Sequence, residues 1–276
     1  MAVKSWFITG TSRGFGREWA IAALGRGDKV AATARDTSSL GDLVARYGDA
    51  ILPIQLDVTD RDAAFAAVRQ AREHFGRLDV IVNNAGYGQF GMVEEISEQE
   101  IRAQLETNVL GALWVTQAAL PCLREQGSGH ILQVSSIGGI SAFRNTGAYH
   151  ASKWALEGLS QSLAQEVAGF GIKVTLIEPT GYSTDWAGSS AKHATELPAY
   201  EPVRRQAAQA RAKRFTPGDP AATRDAVLRL VDSPNPPLRL FLGEAPLGIA
   251  TADYESRLAT WREWQPVAAA AQGNGT

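Results

Sequence analysis

Ser5-Trp6-Phe7-Ile8-Thr9-Gly10-Thr11-Ser12-Arg13-Gly14-Phe15-Gly16 decides the fold. Its first five residues form an apolar run that reads as a short strand and stops at Gly10. A helical pattern follows from Glu18 to Gly25, with Trp19, Ala22, Ala23 and Leu24 as apolar contacts. The glycines permit a tight turn and let backbone amides approach a pyrophosphate, which the positive end of the helix stabilises. Their spacing is Gly-x-x-x-Gly-x-Gly, not the commoner Gly-x-Gly-x-x-Gly. In a strand–turn–helix setting this loop predicts nucleotide binding, with Gly10, Ser12, Arg13, Gly14, Phe15 and Gly16 around the phosphates.

The same alternation continues outward. Lys29–Ala34, Ile51–Leu56, Leu78–Val82, His130–Val134, Lys173–Ile177 and Leu238–Leu242 read as further strands. Helices are expected between them. One follows the caps Asp36, Thr37 and Ser38 to about Tyr47, and one is capped by Thr59 or Asp60 and stopped by Gly76. Ser97-Glu98-Gln99-Glu100 resembles a capping box ahead of a long helix carrying Ile101, Leu105, Val109 and Leu120 on one stripe. Gly147 to Gly169 and Pro220 to Asp232 supply two more. Short buried-looking strands alternating with helices imply an α/β fold: a doubly wound, Rossmann-type parallel sheet of about seven strands covered on both faces. Ligands of such a sheet bind at the carboxyl ends of its strands. Gly10, Arg35, Asp57, Asn84, Ser136 and Pro179 all fall at such ends. No boundary splits the sheet, so residues 1–276 read as one domain.

Composition bounds the rest. At 276 residues and 45% hydrophobic content the chain can bury a sizeable core. A net charge of −2 gives no general reason to expect nucleic acid or an anionic membrane as partner. The single Cys122 excludes an intrachain disulfide and fits a reducing compartment. Met1 to Gly10 lacks a signal-peptide pattern, and no apolar run reaches the roughly 20 residues of a membrane span, so a cytoplasmic protein is expected. The four histidines show no metal-ligand spacing, and no metal is expected.

The second strand selects the cofactor. An NAD site wants an acidic residue at its end for the ribose 2′-hydroxyl. Here the end reads Ala32-Thr33-Ala34-Arg35, and Arg35 offers a planar cation suited to a 2′-phosphate. Arg13 can approach that phosphate from the other side. Asp36 is the counter-indication, but before Thr37-Ser38-Ser39-Leu40 it reads better as a helix cap. NADP(H) is therefore favoured.

Thirteen residues after Ser136 comes Tyr149, and four after that Lys153. On one helix these two share a face, with Cβ atoms about 5–6 Å apart. A cation there favours the phenolate, so such a tyrosine can give and take a proton near neutral pH. Alone, the spacing also fits a surface Tyr–Lys pair. The surrounding motifs decide between the two.

With Thr9-Gly10-x-x-x-Gly14-x-Gly16, Asp57, Asn83-Asn84-Ala85-Gly86, Asn108, Ser136 and Tyr149-x-x-x-Lys153, the sequence resembles the short-chain dehydrogenase/reductase family in its single-domain branch. The likeness runs from Lys4 to about Asp185. It implies that Tyr149 is the general acid or base, that Lys153 lowers its pKa and binds the nicotinamide ribose, and that Ser136 orients the substrate oxygen. Asn108 would sit at a helix break and hold a water leading towards Lys153. Asp57 and Val58 would meet the adenine, Asn84, Ala85 and Gly86 the adenosine side, and Pro179 and Thr184 the nicotinamide side. One departure stands out, in that the family's usual glycine after Pro179 is Thr180, with Gly181 one position later.

Phe143, Tyr182 and Trp186 fall where the family builds its substrate pocket, and with Ser136 and Tyr149 they imply a hydrophobic ketone, aldehyde or alcohol. Trp186 to Pro217 is the expected lid. Arg204, Arg205, Arg211, Lys213 and Arg214 read there as a solvated helix face. Asp253 to Trp264 reads as a terminal helix and residues 267–276 as a frayed tail. The family implies a homodimer or homotetramer through the helices bearing Asn108 and Tyr149. A nucleotide-sensing regulator without chemistry is the rival reading, but such relatives typically lose the tyrosine or lysine, and both are present.

Overall fold

The computed structural model describes residues 2–184, 186, 188–214 and 217–273. Strands β1 (Ser5–Ile8), β2 (Lys29–Ala34), β3 (Ile51–Gln55), β4 (Val80–Asn83), β6 (Gly129–Val134), β7 (Ile172–Pro179) and β9 (Arg239–Leu242) form one sheet in the order β3-β2-β1-β4-β6-β7-β9. Every pairing in it is parallel, with Phe7 opposite Ala31 on one side and Ile81 on the other. The strand order reverses beside β1, so the crevice above β1 and β4 is the binding position of this topology. Pro53 is tolerated in β3 because that strand is an edge.

Alternation along the buried strands divides the core in two. Trp6 and Ile8 join Trp19, Leu40, Leu132 and Leu230 under α1 (Gly14–Gly25), α2 (Gly41–Tyr47) and α8 (Arg224–Asp232). Phe7 points the other way, to Ile81, Val68, Val115 and Ile131, beneath α3 (Arg61–Phe75) and α5 (Gly111–Gln126). The fold therefore matches the doubly wound reading.

Details differ. Helix α1 begins at Gly14, four residues before the expected start, because the glycine turn itself closes its first turn. The long helix expected after the capping box is α4 (Glu98–Leu105), a π-helical turn over Glu106–Leu110, and then α5. The terminal helix α9 spans Ala245–Ala271, so residues 267–271 of the expected tail are helical, while 274–276 lie outside the described residues. A two-stranded pairing of β5 (Gln89–Phe90) with β8 (Lys192–His193) was not expected; its elements are too short to show a period. No helix among the described residues is long and apolar enough to cross a membrane.

Candidate active site

The glycine loop is held by backbone and by one amide. Gly10 has φ of +69°, a left-handed conformation that suits glycine, and a Cβ there would lie 3.1 Å from Ala85 Cα. A Cβ on Gly16 would run into the Gly10 carbonyl and come within 2.5 Å of Asn84 Nδ2. Asn84 uses that nitrogen to donate to the Thr9 and Gly10 carbonyls, at 2.9 and 3.0 Å. Thr9 Oγ1 in turn accepts from the amides of Asn84 and Ala85. The ends of β1 and β4 are thereby locked together, and the first turn of α1 stays bare. A glycine cradle of this kind, at a helix N-terminus, fits a dinucleotide pyrophosphate. Thr184 closes it from the far side, its Cγ2 3.6 Å from where a Gly14 Cβ would stand.

At the end of β2, Arg35 is exposed and lines the same cleft. Asp36 accepts from the Ser38 amide at 2.9 Å and caps the following turn, which holds its carboxyl below the usual carboxylate range. Asp57 accepts from the amide and hydroxyl of Thr59, and Asp60 caps α3. Arg13 donates to Ser189 Oγ at 3.0 Å, so it links the glycine loop to the segment after β7.

The proton-transfer candidates meet above β6. Helix α6 (Gly147–Val167) buries both Tyr149 and Lys153, with the Lys153 ammonium 5.7 Å from the centre of the Tyr149 ring. Lys153 Nζ donates to the Val134 carbonyl at 2.8 Å. Burial pulls its ammonium down to about 8, against the opposing charge of Glu157. Ser136 Oγ accepts from the Gly138 amide at 3.0 Å and caps the turn beyond β6. Asn108, in the π turn, accepts from the Tyr87 amide and donates to the Tyr87 carbonyl and to Ser152 Oγ. A Cβ on Gly86 would lie 3.0 Å from Asn108 Oδ1 and 3.8 Å from Lys153 Nζ, so these three converge.

On the opposite wall, Trp186 packs against Tyr149 and Phe90, with ring centres 4.9 and 5.3 Å away, and over Gly88, where a Cβ would collide with its indole. Phe143 sits beside His150. Tyr182 lies edge-on to Phe15 of the glycine loop at 4.9 Å and against Gly218. The side chain of Thr180, at the family's glycine position, is accommodated against Gly243, which has φ of +102°.

The basic run is not a uniform solvated face. Arg204 on α7 (Glu201–Arg214) is half-buried and donates to both carboxylate oxygens of Glu95 at 3.0 Å, and to the Leu197 carbonyl. Glu95 lies a hundred residues upstream, so helical spacing could not reveal this pair. Arg205 pairs with Glu201 on its own helix, and the side chains of Arg211, Lys213 and Arg214 lie outside the described residues.

One cleft of about 1090 Å³ gathers these parts. Every residue expected at the site lines it except Gly16 and Asn108, which act from behind the wall. Two supports were not anticipated. Gln104, fully buried, accepts from the Gln89 amide and donates to the Tyr87 carbonyl. His150 accepts from the Phe143 amide at Nε2, which leaves the Nδ1 proton for the Gly138 carbonyl 2.8 Å away. Burial holds that imidazole below its usual pKa, against both backbone contacts. His150 thus ties together the loop carrying Ser136 and Phe143. The visible signal was only its place next to Tyr149.

Residues 4–195 match the family model described as short chain dehydrogenase. The chain is 43% identical to oxidoreductase BOA17 of Botryotinia fuckeliana, over 97% of this chain and 98% of that one. It is similar to the crystal structure of a short-chain dehydrogenase from Streptomyces avermitilis, with a TM-score of 0.90, 42% identity and coverage of 98% and 100%. An alcohol dehydrogenase from the archaeon Thermococcus sibiricus, complexed with 5-hydroxy-NADP, matches with a TM-score of 0.74 and 27% identity over 87% and 96%.

Proposed function

We propose that this chain, which belongs to the short-chain dehydrogenase family of nicotinamide-dependent oxidoreductases, is an NADP(H)-dependent enzyme interconverting a hydrophobic ketone or aldehyde with its alcohol. The observation that carries the reading is the burial of Tyr149 and Lys153 on one helix face, in the same cleft as the glycine cradle. When bound, the cofactor supplies the hydride for reduction or accepts it in oxidation. Tyr149 gives its proton to the carbonyl oxygen, or takes it from the alcohol. The Lys153 cation favours the phenolate and keeps the proton mobile near neutral pH. Ser136 orients the substrate oxygen, and Asn108 fixes the Tyr87 backbone beside Lys153.

Arg35, with Asp36 engaged as a cap, supports NADP(H) over NAD(H). Phe90, Phe143 and Trp186 favour an apolar substrate. The exposed Trp154 and Leu159 on α6 suit an interface between identical subunits, in keeping with a homodimer or homotetramer. Tyr149→Phe tests the central role. Turnover of hydrophobic ketones should fall by roughly 10²–10⁴, while NADPH titration by fluorescence gives an unchanged Kd. A variant that still turns over at the parent rate removes Tyr149 from the chemistry.

A further inference from the structure

Behind Lys153 lies a buried polar cluster that the reaction described above does not use. Glu157 follows Lys153 by four residues and lies on the same face of α6. Its Oε1 accepts from Ser135 Oγ at 2.5 Å and its Oε2 from Arg239 Nε at 3.0 Å. Arg239 also lies 3.4 Å from Glu178 Oε1 on β7 and donates to Gln161. Glu157 and Glu178 are both buried, the latter with no exposed surface. Each member adjoins a residue of the site: Ser135 precedes Ser136, Glu178 precedes Pro179, and Glu157 follows Lys153 by one turn.

Two carboxyl groups lie against one guanidinium here, so full ionisation would place two like charges side by side in the interior. The two acids are not equivalent. Glu157 receives a hydroxyl and a guanidinium hydrogen bond and is built to be the anion. Neither oxygen of Glu178 receives a hydrogen bond from the described residues, which suits a neutral acid that donates its own proton. Burial, then the neighbouring Glu157 charge, pushes the Glu178 carboxyl up to about 9.

We propose that Glu157 and Glu178 share a single proton, so that the pair sets one negative charge one helical turn behind Lys153, and that Glu157 is a positioning residue which keeps the Lys153 ammonium charged. The charged and titratable groups facing the pair are Lys153 from α6 and Arg239 from β9, with Ser135 from β6 as hydroxyl donor. Burial works against the ammonium and the Glu157 anion works for it. Glu178, by keeping its proton, avoids a second charge that would repel the first.

The inference rests on the roles proposed for Tyr149 and Lys153, and its test is separable from theirs. In carbonyl reduction by the whole chain, the alkaline limb of kcat/KM should move to lower pH by roughly one unit in Glu157→Gln. Glu157→Asp, which keeps the charge one methylene further away, should return most of that shift. A uniform drop in kcat with the limb in place in Glu157→Gln overturns the positioning role, and so does a shift in Glu157→Asp as large as that in Glu157→Gln. Failure of Tyr149→Phe to lose turnover would instead overturn the earlier reading. The shared proton has its own readout in Tm against pH for Glu178→Gln. A carboxyl raised from 4.5 to about 9 contributes stability that is complete below pH 4.5 and is lost as pH rises towards 9. The parent should therefore lose Tm relative to Glu178→Gln across that window. Parallel curves would show that Glu178 is ionised like an ordinary glutamate, and the pair would fall.

Discussion

Gly10 and Trp186 line the same cleft but are held there by different means. Gly10 belongs to a tight lattice at the ends of neighbouring strands, in which the Thr9 hydroxyl and the Asn84 side-chain amide bridge the backbone of Thr9, Gly10, Asn84 and Ala85. Trp186 belongs to the segment after β7, which is held by the short β5–β8 pairing and by side chains reaching across the fold. Arg204 grips Glu95, Arg13 reaches Ser189, and His193 stacks on Phe90 at 5.1 Å. Strand ends bridged this closely tolerate almost no added atom. Side-chain clamps can open and close without disturbing the sheet. If the glycine-loop side holds the nucleotide and the other side the substrate, as proposed, the first is built for fixed geometry and the second for entry and exit.

That contrast breaks most severely at Gly16. A side chain there would displace the Gly10 carbonyl and the Asn84 amide together. Gly16→Val should abolish measurable NADPH binding in fluorescence titration, and binding at parental affinity would mean that the loop yields as freely as the lid. A smaller effect is expected at Arg35, whose side chain stands at the rim and holds no strand in place. Charge-assisted hydrogen bonds to a phosphate contribute about 1.5–3 kcal/mol, so Arg35→Asp should change the ratio of kcat/KM for NADPH over NADH by roughly ten- to a hundredfold. An unchanged ratio would remove Arg35 from cofactor selection, and with it the NADP(H) reading.

The same contrast explains what could be read from the chain. The glycine turn, the Asp36 cap, the Ser97–Glu100 capping box and the Tyr149–Lys153 spacing are local patterns of three to eight residues, and each is where the sequence placed it. The helix break at Asn108 was legible through the family resemblance and not through periodicity, since Glu106 to Leu110 continues the helical apolar stripe unbroken. Arg204–Glu95 and Glu157–Glu178–Arg239 join residues that only the folded sheet brings together. A trace of the second cluster was present in Glu178, the one acid in the strand Ile172–Pro179. Nothing in the sequence, however, named its partners. The solvated reading of Arg204 failed because periodicity reports which face a residue occupies, and not what stands opposite it.

Arg204 offers the mildest test of that division. Its guanidinium is the only cation among the described residues that pairs with Glu95, whose carboxylate also accepts from the Met92 and Leu197 amides. Arg204→Met would keep the aliphatic stem and remove the clamp, leaving the sheet and the glycine loop untouched. If the segment must close for substrate to be held, and the closed fraction falls to about a tenth, KM for the ketone rises roughly tenfold while the NADPH Kd stays in place. Hydrogen exchange should quicken in the amides of residues 192–210 and not in those of β1 or β4. A parallel loss of cofactor affinity would show instead that the two halves of the cleft are one mechanical unit, coupled through Arg13 and Ser189.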